Sequence, residues 1–537
     1  MATASVATRG PHSRRVLSTA AAGFLAAALA VVAGGQAGIV DTTTPLTTWV
    51  GLLSSTGYRP GQSWLAGLLL FVGIAALVLL WLVVLGLRGQ WRERDLWWIA
   101  AAWSAPFVVG PPLISKDVFS YAAQGLMLRS GLDPYSSGVS ALAAVPTDAA
   151  SSVLAAVDPT WRSAPSPYGP VALTIEHLAV AISGGNPLGA VIALRGLAVL
   201  CVIAIGVLAM QLAGDRRTQA LILTVLNPLV LVHLVSGAHF EAPMGALLLG
   251  SLVAAKRNHW VWAIVLACAA GSIKAPAFLA VPAIVATHVI GQQGRRARLL
   301  MALRDVGVSV VSLAGFTLLV SNGLGWIKGL NTPALGYTPF APASLIADLF
   351  KPVVPGASFD NLVTGGRVAC LLAAACIVIY LIATTSARPL EYTVGYGLLA
   401  VALLSPTIFP WYLLWGALCL VGTADVRQRD WLVAGCGVAS VAAITGAPTA
   451  VTNTFDAIAA VTAAALLWRR ARRRKPQLAQ ARSLGAEPST APAIDGNPRH
   501  TVSALATGFR RLVGGAGRPE VRRRPAQPGR RRGPDRR

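Results

Sequence analysis

The chain has 537 residues, of which 55% are hydrophobic and only 12% charged, with a mean hydropathy of +0.62; a soluble globular domain carries about 25% charged residues. The net charge is +24, but 19 basic and 4 acidic residues from Arg469 onward hold +15 of it and leave +9 for everything before. That remainder is what cytoplasmic loops of a multispanning protein need, so the composition excludes a soluble domain and gives no argument for nucleic acid. The six cysteines (Cys201, Cys268, Cys370, Cys376, Cys419, Cys436) lie singly in apolar runs and read as small core residues, not as disulfides or metal ligands.

In chain order, a polar, basic segment (1–15) precedes an apolar run at 16–40, longer than a signal-peptide core and followed by more spans, so it reads as an uncleaved first helix. After a loop at 41–62, a second span (63–87) ends at Arg88, Arg92 and Arg94, and a third (96–113) delivers Asp117 to the outer side. The segment 115–187 is a long outer loop; its apolar stretch 171–182, carrying Glu176 and His177, reads as a helix along the membrane surface or as a short span. Spans then alternate, including one at 188–212 ending at Asp215-Arg-Arg217 and one at 220–235. A second long outer loop covers 322–366, and 431–444 and 450–468 close the bundle. The reading is an all-α polytopic bundle of about fourteen spans, with short interfacial helices in outer loops and both termini cytoplasmic. The basic tail, 469–537, reads as disordered and able to touch anionic headgroups.

The acids on the inner side lie near arginines in short loops, whereas Asp117, Asp133, Asp158, Glu176 and Glu241 lie outside among aromatics, prolines and histidines. Polar groups gathered at one edge of a bundle mark surface chemistry; a transporter would place ionisable groups near the midplane. Within predicted spans only His233, Arg195 and Asp456 have that character, each within about two turns of a span end. Asp117, beside Lys116, reads either as a general base that takes a proton from an acceptor hydroxyl or as a helix N-cap. His239 and Glu241 read as a sugar or cation site or as an interfacial loop. Lys274, in an apolar stretch, and Arg367 are candidates for a phosphate, or cations snorkelling to the interface. Phe409-Pro-Trp-Tyr412 is an aromatic belt or a sugar-stacking platform. Neither a Walker A sequence nor a GxGxxG fingerprint is present, so a sugar moved on the outer side calls for a lipid-linked donor.

Ser115-Lys-Asp-Val-Phe-Ser-Tyr-Ala-Ala-Gln-Gly125, Gly131-Leu-Asp-Pro-Tyr135 and Ser166-Pro-Tyr-Gly-Pro170 together resemble the actinobacterial polyprenol-phosphate-mannose-dependent α-(1→6)-mannosyltransferases, which build the mannan core of lipomannan and lipoarabinomannan. Asn227-Pro228, Gly237-Ala-His-Phe-Glu241, Gly271-Ser-Ile-Lys274 and Pro406-Thr-Ile-Phe-Pro-Trp-Tyr412 add to the likeness, which runs over roughly 15–470 by hydropathy and loop order. The resemblance implies a C-type glycosyltransferase fold, a plasma-membrane enzyme with an outer-face site, a polyprenyl-phosphate mannose donor and a mannan or mannosylated lipid acceptor. It makes Asp117 the expected catalytic residue. Lys116, Tyr121, Gln124, Asp133, Tyr168, His239, Glu241, Lys274, Arg367, Trp411 and Tyr412 are the expected substrate contacts. No cofactor or metal ligand is assigned, although Asp117 stands without the acidic neighbour of some relatives, which leaves a divalent metal open. Transfer of arabinofuranose or glucose, or flipping of a polyprenol-linked sugar, are the alternatives.

Overall fold

A computed structural model describes residues 10–36, 64–332, 341–354, 356–423 and 425–442. The predicted loop 41–62, the last predicted span (450–468) with Asp456, and the basic tail lie outside the described residues. Among the described residues the regular elements are all helical. They are α1 (Pro11–Gln36), α2 (Trp64–Gly86), α3 (Glu93–Val109), α4 (Asp117–Arg129), α5 (Asp148–Ala156), α6 (Pro170–Ile182), α7 (Pro187–Ala213) and α8 (Arg217–Leu223). A π-helical turn (Val230–Ser236) leads to α9 (Glu241–Lys256), α10 (Trp260–Gly271), α11 (Ala280–Ile290) and α12 (Arg295–Thr317). The chain continues through α13 (Trp326–Gly329), α14 (Pro342–Phe350), α15 (Phe359–Ala383), α16 (Leu390–Leu403), α17 (Leu413–Leu420) and α18 (Val426–Ala442).

Five helices among the described residues are long and apolar enough to cross a membrane, or six if the π turn and α9, bent by 109°, count as one. Shorter apolar helices, including α10 and α16, lie where other spans are predicted, and α6 lies where a helix along the membrane surface is predicted. The outer surfaces of the long helices expose large apolar side chains such as Leu79, Val83, Leu200, Val311 and Leu372, as expected of lipid-facing helices. Small residues let the helices approach: a side chain at Gly73 of α2 would meet the Ala26 carbonyl of α1 at 2.8 Å.

Two predicted spans are built differently. The run 220–235 is not one helix: α8 stops at Leu223, and Pro228, with no N–H to donate, cannot continue it. Asn227 satisfies the freed backbone on both sides, donating to the Leu223 carbonyl (3.2 Å) and accepting from the Leu229 N–H (3.0 Å). The loop 322–366 in turn contains α13 and α14 and the start of α15, so Arg367 lies inside α15, about two turns from its start.

Buried Arg195 of α7 holds the inner framework together. Its guanidinium donates to the carbonyls of Val108 (3.2 Å) and Gly110 at the end of α3, and to that of Ser236 (2.6 Å) at the end of the π turn. Ser236 Oγ accepts from the Leu113 N–H at 3.2 Å, which fixes the short connection into α4.

Candidate active site

The double proline Pro111-Pro112 ends the α3 connection, and Ile114 then takes a left-handed backbone (φ 68°) before α4 begins at Asp117. A β-branched residue there is strained, a cost of the order of 1–3 kcal/mol that such sites carry when surrounding contacts fix them. Ala238 is likewise left-handed (φ 49°), immediately before His239. The two strained residues thus sit just ahead of two of the candidate polar groups.

The helix-cap reading of Asp117 does not describe its carboxylate. Its backbone N–H donates to Ser115 Oγ (3.1 Å), and no side chain caps the helix. The carboxylate instead opens on a cleft, with its side chain 23% exposed. The cleft is lined by Asp117, Ser120, Tyr121 and Gln124 of α4, the loop from Trp161 to Tyr168, and Lys274, Thr332, Phe409, Trp411 and Tyr412. Two sequence motifs far apart in the chain meet there. The Gly169 N–H bonds the Ile273 carbonyl and the Val171 N–H bonds that of Ser272, both at 3.1 Å, joining the Ser166–Pro170 loop to the Lys274 segment.

Beneath the cleft lies a line of charge. Lys274, its side chain 13% exposed, forms an ion pair with fully buried Glu241, the first residue of α9. Trp415 of α17 donates its indole N–H to the same carboxylate oxygen at 3.1 Å. His239 Nδ1 stands 3.9 Å from the other Glu241 oxygen and 3.5 Å from Asp117 Oδ2, and neither of its ring nitrogens makes a hydrogen bond. The Lys274 ammonium also lies over the rings of Tyr412 (4.7 Å), Trp415 (5.4 Å) and Tyr168 (5.7 Å), where the aromatic quadrupoles favour a cation. It precedes a 3₁₀ turn rather than an α-helix N-terminus, so a phosphate here would rely on the ammonium and not on a helix dipole.

Aromatic side chains shape the walls. Tyr121, Tyr168 and Phe240 pack as a triangle, with the Tyr121 and Tyr168 hydroxyls 3.2 Å apart. Tyr135 donates to the Tyr168 carbonyl at 2.9 Å, and burial pushes its phenol above the ordinary range, so it remains a donor. Ser166 donates to Gln124 at 2.8 Å. Trp411 stacks on Phe409 and covers both His239 (4.2 Å) and His233 (4.9 Å).

Of the expected contacts, Tyr121, Gln124, Tyr168, Lys274, Trp411 and Tyr412 line the cleft with Asp117, and His239 and Glu241 lie directly behind it. Lys116, Asp133 and Arg367 are not among the lining residues. Asp133 holds the turn, accepting from the Tyr135 N–H and from Asn322 Nδ2, both at 2.9 Å. Trp161, Thr332, His233 and Trp415 were not assigned from the sequence. For Trp415 a signal existed, since three residues after Tyr412 along a helix is the same face. For Thr332 there was none. Among the described residues no group of three or more His, Cys, Asp or Glu side chains is placed to hold a metal ion.

Residues 20–290 match the family model described as the α-(1→6)-mannopyranosyltransferase N-terminal domain, and residues 346–473 match the MptB C-terminal domain. The chain is 29% identical over 433 residues to α-(1→6)-mannopyranosyltransferase A of Mycobacterium tuberculosis, covering 77% of this chain and 81% of that protein. It is 27% identical over 405 residues to α-(1→6)-mannopyranosyltransferase B of Corynebacterium glutamicum, covering 67% and 66%. The A protein of the same organism is 28% identical over 362 residues, covering 63% and 72%. No solved structure matches. The Asp117 cleft is enclosed by both matched regions, and the N-terminal match alone takes in half of the sequence: the chain belongs to the α-(1→6)-mannopyranosyltransferase family.

Proposed function

We propose that this membrane protein, a mannosyltransferase by family, moves mannose from a polyprenyl-phosphate donor to an α-(1→6)-mannan or mannosylated lipid at the outer face of the plasma membrane, with Asp117 as general base. The relatives are named for α-(1→6)-mannopyranosyl transfer. The observation that carries the reading is the Asp117 carboxylate, free of capping duty, at the edge of an aromatic cleft that also holds the Lys274 ammonium. The membrane-length apolar helices of the chain suit a donor whose lipid tail stays in the bilayer.

In this reading the acceptor hydroxyl attacks the anomeric carbon while Asp117 takes its proton. The bond from sugar to phosphate breaks with its electron pair leaving on the phosphate. A polyprenyl phosphate departs without an acid, so one carboxylate suffices, and a single displacement inverts a β-linked donor into an α-linked product. Lys274 offers the leaving phosphate a cation, and the tyrosine and tryptophan faces offer stacking surfaces for pyranose rings. The bundle of about fourteen spans, both termini inside, belongs to the same proposal.

The test is Asp117→Asn, which keeps size but cannot accept a proton. The folded variant should lose turnover by about 10²–10⁴-fold with polyprenyl-phosphate mannose and a short α-(1→6)-mannoside. Turnover near that of the wild type would move the base elsewhere.

A further inference from the structure

Behind Asp117 lies an imidazole that the reaction as described does not use. His239 is fully buried, and neither ring nitrogen is hydrogen bonded. A buried polar group left so carries a desolvation cost. Its position is nevertheless enforced. Gly237 permits it, since a Cβ there would stand 2.6 Å from His239 Cδ2, the left-handed Ala238 turns the chain towards it, and Trp411 closes over the ring. The charged and titratable groups around it are Asp117 from α4, Glu241 from α9, Lys274 after α10 and His233 from the π turn, whose ring centroid is 5.6 Å away. Glu241 already gives one oxygen to Lys274 and Trp415, and its other oxygen has no hydrogen bond. His239 Nδ1 therefore sits between two carboxylate oxygens, at 3.5 and 3.9 Å, and makes a hydrogen bond to neither.

We infer that His239 receives, on an unprotonated Nδ1, the proton that Asp117 removes from the acceptor. The inference rests on Asp117 being the base. As the new glycosidic bond forms and the sugar–phosphate bond breaks, the proton passes from the acceptor hydroxyl to Asp117 and on to His239 Nδ1. The carboxylate is returned to its charged form and the imidazolium rests between Asp117 and Glu241; after the product leaves, the proton returns to water through Asp117, the partly exposed member of the pair. The 3.5 Å separation closes by about 0.6–0.8 Å to a charge-assisted hydrogen bond, a tightening that catalytic pairs commonly undergo once substrate is bound.

His239→Asn tests the inference, because its amide fills the place of Nδ1 but cannot store a proton. In the purified full-length protein, kcat should fall at least about tenfold while KM for donor and acceptor stays within about twofold. The pH profile of kcat should change with it, since the proton store has been removed. An unchanged kcat or an unchanged profile overturns the inference. So does full rescue by asparagine of a defect seen in His239→Ala, since that would make the imidazole only a prop. Where the asparagine protein fails to fold, His239→Gln, which likewise puts an amide in place of the imidazole, is read on the same criteria. Asp117→Asn in the same assay separates the two readings. If it turns over, the base assignment itself fails. If it is inactive while His239→Asn keeps the wild-type profile, only the role of His239 falls.

Discussion

On the proposed reading Lys274 carries two duties, one to Glu241 and one to the donor phosphate, and a pair of variants separates them. Its ammonium is one of two donors to the fully buried carboxylate of Glu241; the other is Trp415. Lys274→Ala leaves that carboxylate buried with the indole alone, and breaking a buried pair from one side costs about 3–5 kcal/mol. Against a total stability of roughly 5–15 kcal/mol this is a large loss, so the single variant should melt well below the wild type and give poor yield. Lys274→Met combined with Glu241→Gln removes both charges and keeps an acceptor for Trp415, and exchanging a buried pair for neutral groups of similar size is often close to neutral. The double variant should therefore regain most of the thermal stability. It should not regain donor binding. A hydrogen bond to a charged group is worth about 1.5–3 kcal/mol, or roughly 10–150-fold in affinity. Because the Lys274 charge is already shared with Glu241, the lower end, about tenfold in donor KM, is expected. The readouts are melting followed by size-exclusion of the detergent-solubilised protein, and initial rates against donor concentration. A Lys274→Ala protein as stable as the wild type refutes the structural duty, and a double variant with the wild-type donor KM refutes contact with the phosphate.

Two further outcomes follow. Glu176 is fully buried in α6, a helix too short at 13 residues to cross a bilayer; neither of its oxygens is hydrogen bonded, and burial holds its carboxyl well above the ordinary range. The folded protein keeps that proton, while the unfolded chain sheds it above about 4.3. The stability linked to this group is thus present at low pH and lost as pH rises towards the folded value. Glu176→Gln should raise the melting temperature at pH 8 relative to the wild type, with little change at pH 4; parallel pH dependences in the two proteins would contradict this. For the orientation, a cysteine at position 137 should react with a membrane-impermeant thiol reagent in intact cells, and one at position 216 should not. The opposite pattern would place the cleft on the inner side.

What the sequence disclosed, it disclosed through contrast. A carboxylate, an ammonium, hydroxyls and aromatics between Ser115 and Tyr135 stand out from an apolar chain, and most of the cleft could be named from such islands. The relations between islands were hidden. Lys274 and Glu241 lie 33 residues apart, and the run out along α9 and back along α10 brings them together. Asn227-Pro228 was visible, but an apolar run of helical length outweighed it, although the side chain of Asn227 can replace the backbone bonds that Pro228 forfeits. Glu176 reads from the sequence as an outer acid on a helix along the membrane surface. It is buried because α6 crosses α4 at Gly125, where a Cβ would strike the Glu176 carbonyl, so the two backbones lie in contact. Arg367 was placed at a span's edge because the polar residues before it concealed the helix that already begins at Phe359.

The carboxylate of Glu241 has a partner on each side of the join between the two matched regions. Lys274 belongs to 20–290 and Trp415 to 346–473, and Phe409, Trp411 and Tyr412 of the latter complete a cleft whose acid comes from the former. Neither region encloses the cleft by itself. Exchanging one of them between relatives would alter a shared hydrogen-bond network along with whatever specificity the exchange was meant to carry.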